Sequence, residues 1–390
     1  MTTSEPIRST VVDVDLDAIT QNIAALRARA KAEVIAVVKA DAYGHGAEPV
    51  AAACFEAGAV MVAVATVEEG VVLREAGVSG PILIFYGPTD PSELAHAVAQ
   101  DLVLVIWDEQ RARALSQTAT ALGRTARIHF KVDTGLTRLG SPLEEARARY
   151  RAIRALPRIE VDGIFTHFAT ADSPDPSFAR TQIARFREVL SSLDELPRLV
   201  HASASAGVAA FGEVDGTNAV RPGLAVYGLH AAPHLASAMP LRPALHWQSR
   251  IHRIAAVPKG TGVSYGHEYR LPRDGRIATV PVGYGDGLPR IAGKSATVVV
   301  RGRRVGFAGR VCMDLVMLDV TEVDGAREGD EVVLIGSQNG ASQTAEELAA
   351  ACGTISHEIV TGIRRRVPRR YFCGGQLVAT RTLQGGHRSR

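Results

Sequence analysis

Residues 34–46 read VIAVVKADAYGHG. The run 34–38 is apolar at every position and mostly β-branched. A strand that is apolar on both faces is buried on both faces, as in a parallel sheet covered by helices. Lys39 stands where that strand ends. A lysine there is costly unless its charge is managed, and desolvation lowers its pKa, leaving a neutral amine that can attack a carbonyl to form a Schiff base. Tyr43 follows, then a Gly-His-Gly turn at 44–46 that lets backbone approach a ligand closely. Taken alone, Lys39 reads more readily as a side chain reaching past a strand tip into water; its neighbours change that reading.

The same texture repeats outward from this stretch. Short apolar runs recur at 60–66, 82–86, 102–107, 128–132, 161–165, 199–201 and 219–227. Segments of helical period lie between them, among them 67–76, 109–122, 141–156 and 177–193. Strand–helix alternation implies right-handed crossovers and a parallel sheet, and eight strands predict an α/β fold of the (β/α)8 TIM-like barrel type. A doubly wound open sheet is the weaker alternative. After about residue 245 the helices nearly vanish. Short strands at 246–257, 275–283, 296–301, 304–307, 315–320 and 331–335 alternate with Gly, Pro and Asp turns, with one helical stretch at 344–352. This predicts a C-terminal, mostly β domain. Residues 8–14 read as a strand ahead of a helix at 16–30 and could join that later domain. The expected division is a barrel over 12–244 and a β domain made from 1–11 and 245–383, with 384–390 frayed.

Composition narrows the class. The chain has 390 residues, 46% hydrophobic and 22% charged, with a formal net charge of +3, which predicts a soluble globular protein and excludes disorder. The arginines at 364–366 and 369–370 read as a solvated face rather than a nucleic-acid site. Four scattered cysteines suggest neither a disulfide framework nor a metal site. No signal core or apolar span is visible, so no membrane partner is expected and the compartment reads as cytoplasmic.

In a barrel the active site is built at the C-terminal ends of the strands. Those ends carry Lys39, Tyr86, Trp107, Lys131 with Asp133, His167, Ser203 to Ser205, and Arg221 with Gly223; Arg138 follows the fifth. Each has an ordinary reading by itself, His167 as a core histidine and Arg221 as an ion-pair partner. Together they form a polar rim. Ser203, Ser205 and the Pro222-Gly223-Leu224 segment lie where barrels bind phosphate. A lysine for an aldehyde, a phosphate pocket and a planar cation describe a pyridoxal phosphate site.

The motifs VDLDAITQNIAALR, AVVKADAYGHGA, HFKVDTGLTRLG, GIFTHFATAD, RPGLAVYG, GVSYG, ATVPVGYGDGLPR, GRVCMDLVMLDV and RVPR follow one another along the chain. In them the chain resembles, nearly end to end, the alanine racemases, fold-type III pyridoxal phosphate enzymes of two domains. The resemblance implies an isomerase that interconverts L- and D-alanine for cell-wall peptidoglycan, with serine or a broader set of small amino acids as the alternative. It implies pyridoxal 5′-phosphate held by Lys39, which would also be one base, and Tyr265 as the second base on the opposite face. Tyr43, His167, Ser205, Arg221, Gly223 and Leu224 would complete the cofactor site, with Arg221 donating to the pyridine nitrogen. Arg138, Met313, Tyr284 and Asp314 would meet the substrate, and Lys131 matches a position often carbamylated; a plain lysine paired with Asp133 is the other reading. Tyr265, Tyr284 and Met313 would reach the barrel of a second subunit, which implies a homodimer with shared sites. Departures from the family pattern are Ala204, His267-Glu268, Leu315, Arg365 at the inner gate, and the bulky Phe85-Tyr86. Barrel-type decarboxylases carry an acidic partner for the pyridine nitrogen, against which Arg221 stands. The single-barrel pyridoxal phosphate-binding proteins lack residues 246–375 and Tyr265.

Overall fold

A computed structural model describes residues 6–383 and 385–388. The chain forms two compact units. One comprises Ala18–Ala42 and Ala47–Arg242; the other takes the chain up to Asp17, Tyr43–Gly46 and everything from Pro243.

The first unit is a closed barrel of eight parallel strands: Glu33–Val37, Met61–Val64, Ile82–Ile84, Val103–Ile106, Ala126–Lys131, Ile159–Phe165, Leu199–His201 and Ala219–Val220. It closes where Glu33 and Val34 pair with Ala219 and Val220. Met61–Val64, Ile82–Ile84 and Val103–Ile106 are buried at every position, which is why they read as unbroken apolar runs. The crossover helices begin with local signals, such as the Thr66/Glu69 capping box of Val67–Glu75 and the Asp108 cap of Glu109–Ala121.

The eighth strand is shorter than the expected 219–227. It stops after Val220, and Leu224–Tyr227 is a 3-10 turn. Pro222 has no N–H to extend the ladder, so a run that is apolar throughout changes conformation inside itself.

In the second unit Val11–Asp15 pairs antiparallel with Leu245–Arg250 and parallel with Arg369–Cys373, within a nine-stranded sheet. Residues 12–15, inside the expected barrel boundary, therefore run in this sheet. Asp13 accepts from Gln248 at 2.8 Å and from Arg370 at 2.6 and 2.8 Å, contacts that the sequence does not advertise. The expected strand 246–257 is two, Leu245–Arg250 and Arg253–Val257, because the chain passes between them to a three-stranded sheet with Gly275–Val280 and Val316–Asp319. The helix expected at 344–352 is present as Ala345–Cys352, and a second, unexpected helix, Ser356–Gly362, follows it. Gly385–Arg388 pairs with Gln376–Thr382 instead of fraying; residues 1–5, 384, 389 and 390 lie outside the described residues.

Candidate active site

Lys39 leaves its strand into backbone of the wrong hand for L-residues. Ala40, Asp41 and Ala42 have φ of 52°, 55° and 53°, and Tyr43 has 52°. Left-handed residues cost roughly 1–2 kcal/mol each, so something must hold them. Ala42 N–H donates to Val38 O at 2.9 Å, and Ala47 N–H to Asp41 Oδ1 at 2.9 Å. The Glu69 carboxylate takes Ala40 N–H at 2.6 Å on one oxygen, and Ala65 and Thr66 N–H at 2.7 and 3.2 Å on the other. One side chain thus caps a helix and pins the residue after Lys39. Burial, and then repulsion from Arg138, lower the Lys39 pKa, with Glu69 working against them.

Around this lysine the barrel gathers positive charge. Lys131 ends the fifth strand and is 5% exposed; burial first, then Arg138 and Arg221, bring its pKa down to about 8. Arg221 is 2% exposed, and burial and Arg138 pull even this guanidinium down to about 9. Its hydrogen bonds run to Thr166 O (2.8 Å), Ala202 O (3.1 Å), His167 Nδ1 (3.0 Å) and His201 Nδ1 (2.7 Å), all uncharged acceptors. Burial and the surrounding cations hold His167 well below the usual histidine range. Because Arg221 can only donate, His167 Nδ1 must be unprotonated and its Nε2 must carry the hydrogen. Asp133 partly offsets the lowering of the Lys131 pKa. Its Oδ1 is taken by the backbone N–H groups of Gly135, Leu136 and Thr137, which shapes the loop leading to Arg138.

At the seventh and eighth strands Ser205 Oγ accepts from Gly223 N–H at 3.0 Å and Ala225 N–H at 3.1 Å. It joins the start of helix Ser205–Phe211 to the start of the 3-10 turn Leu224–Tyr227. Neither N-cap residue, Ala204 or Gly223, caps its own turn with a side chain, so apart from the N–H groups that Ser205 Oγ receives, the first-turn N–H groups meet no capping side chain. Ala204 occupies the cap position of the first, and Ser203 Oγ is buried there without a partner among the described residues. That donor set fits a phosphate dianion, and a lysine of lowered pKa fits its aldehyde.

The remaining candidates lie in the second unit. Tyr265 tips a hairpin made by Gly262–Val263 and Tyr269–Arg270, and is 71% exposed. Ser264 Oγ donates to Arg310 O (2.7 Å) beneath it. Tyr284 and Met313 are brought together by Tyr284 N–H to Cys312 O (3.0 Å) and Gly285 N–H to Met313 O (2.9 Å), and both are exposed. Asp314 is ion-paired with Arg366 at 2.8 Å, and Leu315 beside it is exposed. The Tyr43 ring packs against His357, 5.9 Å between centroids. The arginine run is a solvated face only at Arg364 and Arg365. Arg366 also binds Asp286, Arg369 is buried with bonds to Gly44 O and Ile363 O, and Arg370 holds Asp13.

Two family models match the chain, the alanine racemase N-terminal domain over residues 14–231 and the alanine racemase C-terminal domain over 244–371. The chain belongs to the alanine racemase family. It is 44% identical over 374 residues to an alanine racemase of Symbiobacterium thermophilum, covering 95% of this chain and 98% of that one. To an alanine racemase of Halothermothrix orenii it is 42% identical, covering 93% and 97%. Among solved structures, the alanine racemase of a D-cycloserine-producing Streptomyces lavendulae matches with a TM-score of 0.88 at 39% identity, covering 95% and 98%. That of Bacillus anthracis with bound L-Ala-P matches at 0.88 and 36%, covering 98% and 99%. The chain is thus an enzyme, an isomerase of the racemase class, and the barrel with a mostly β second domain is the family's architecture.

Sequence reasoning passed over four residues that shape the rim: Glu69, His201, Phe165 and Thr166. Arg221 lies over the Phe165 ring at 4.6 Å, and His201 stacks on that ring at 4.8 Å. His201 ends a strand and could have been found by the strand-end rule that found Lys39. Glu69 carried only the signal of a capping box, which says nothing about Ala40. Among the described residues no cluster could hold a metal ion and no helix is long and apolar enough to cross a membrane.

Proposed function

We propose that this chain interconverts L-alanine and D-alanine with pyridoxal 5′-phosphate held at the barrel's rim, in a homodimer with shared sites. The observation that carries the reading is the cluster of Lys39, Lys131, Arg138 and Arg221, which the fields of Glu69 and Asp133 partly offset. Such a cluster suits an anionic cofactor and an amino-acid carboxylate. When bound, the cofactor supplies a carbonyl for the amino group and an electron sink for the α-carbon. Lys39 holds it and, once freed by substrate, moves a proton at one face of that carbon. The partner subunit's Tyr265 moves the proton at the other face, and racemisation requires both. Arg221 donates to the pyridine nitrogen and keeps it unprotonated, since arginine gives up no proton. His167, its Nε2–H facing away from Arg221, extends that chain towards the second base. Tyr43, Ser205, Gly223 and Leu224 receive the phosphate. Arg138 receives the substrate carboxylate, oriented by Lys131 as a carbamate, and Tyr284, Met313 and Asp314 line the approach. The product serves peptidoglycan synthesis, and the compartment is the cytoplasm. The test is incubation of the purified dimer with L-amino acids in heavy water. Alanine should lose optical rotation and gain α-deuterium well ahead of serine; racemisation of no amino acid would overturn the reading, and serine first would change the substrate.

A further inference from the structure

Arg221 is a buried cation with no anion among its hydrogen-bond partners, and what lies behind it runs the length of the barrel. His201 Nδ1 accepts from Arg221, so the neutral His201 ring carries its hydrogen on Nε2. His201 Nε2 is 2.7 Å from His129 Nδ1, which must therefore accept. His129 then carries its hydrogen on Nε2, and that atom faces Asp162 Oδ2 at 3.7 Å. The separation is too long for a hydrogen bond, and His129 Nε2 has no other partner among the described residues. Asp162 is clamped by both ends of the Arg198 guanidinium at 2.8 Å each. Both rings are fully buried, and burial lowers both histidine pKa values, keeping them neutral. Burial alone would raise the Asp162 pKa, but His129 and Arg198 outweigh it and hold the carboxyl below the usual range.

The backbone makes room for this line. The pairing of the fifth and sixth strands slips between Ile128 and His129, placing His129 opposite Gly163. A Cβ on Gly163 would sit 2.7 Å from three atoms of the His129 ring. Bulges of this kind re-aim side chains near active sites. At the N-terminal end of the strands Asp162 and Arg198 line a cavity of about 560 Å³ together with Arg127, Tyr150, Glu160 and Glu195.

We propose that Asp162 is a positioning residue for Arg221, acting through His129 and His201. Every hydrogen in the line points from Arg221 towards the carboxylate, so the anion sits at the one end where it favours this polarity, and the opposite polarity would set an N–H against the guanidinium. The inference rests on the role of Arg221 given above, and it is testable apart from it. Neutron diffraction from the unsubstituted protein should show deuterium on Nε2 and none on Nδ1 of both His129 and His201; deuterium on either Nδ1 overturns the proposal. Asp162→Leu, checked for folding by circular dichroism, should lower kcat for alanine about tenfold or more with KM little changed, as when other orienting partners are removed, and Asp162→Glu should recover most of it. A folded Asp162→Leu protein with unaltered kcat, or a loss that Asp162→Glu does not relieve, would also overturn it. If Asp162→Leu fails to fold, Asp162→Asn, which keeps the shape and removes the charge, takes its place, and unaltered kcat in that folded variant would overturn the proposal. Inactivity of the unsubstituted enzyme would instead count against the racemase reading and leave the tautomers seen by neutrons unaffected.

Discussion

Lys131 is the residue whose chemistry is most open to its surroundings. Its pKa of about 8 lies below the ordinary 10.5 because the ammonium is buried beside Arg138 and Arg221. Between pH 8 and 10.5 the unfolded chain binds a proton that the folded chain does not, so stability contributed by this group rises with pH across that window. Below it the full cost of the buried ammonium is carried. A neutral amine is also what reacts with carbon dioxide, and the resulting carbamate would bring a further anion into a cluster rich in cations. With 13C-bicarbonate at about pH 8.5, a carbamate carbon signal should appear by NMR and be missing from Lys131→Met. Bicarbonate should raise Tm more at that pH than two units lower. A spectrum without the signal would leave Lys131 a plain amine. Lysine at a strand end, with Arg138 and Arg221 at the same rim, was legible from the sequence; the burial that lowers the lysine pKa most was not, since it comes from packing by the whole barrel.

The decisive element is the left-handed turn after the first barrel strand. Its sequence, Lys39-Ala40-Asp41-Ala42-Tyr43, contains no glycine and has good helical propensity, so nothing local announces four positive φ angles. Glu69 supplies the constraint from the next crossover. Glu69→Ala should remove bonds to Ala40, Ala65 and Thr66 together, costing about 2 kcal/mol in urea unfolding from lost capping and charged hydrogen bonds. Glu69→Gln, which keeps one acceptor, should cost less; equal loss in both would mean that the charge and not the geometry holds the turn. Apolar periodicity served well wherever an element was regular. It failed at 219–227, where proline ended a strand inside an apolar run, and it passed over the helix Ser356–Gly362 that follows the expected one at 344–352.

For the whole molecule, the candidate residues divide between two units, and Tyr265, Tyr284 and Met313 stand exposed on the second. If the partner subunit's Tyr265 completes each site, mixing Lys39→Ala and Tyr265→Phe dimers should restore activity. After subunit exchange about half of the dimers are hybrids with one sound site of two, giving about a quarter of the unsubstituted rate. No recovery, once exchange has been verified by mass, would mean that each chain serves its own site. Family, barrel and the strand-end residues were determined by the sequence itself, because apolar periodicity and motif order are properties of neighbouring residues. The left-handed turn, the true extent of the eighth strand and the line from Arg221 through His201 and His129 to Asp162 were decided only by the tertiary structure. Successive members of that line, such as Arg221 with His201 and His201 with His129, lie 20 and 72 positions apart in the chain. They meet because the barrel closes, bringing strands five to eight side by side around one axis.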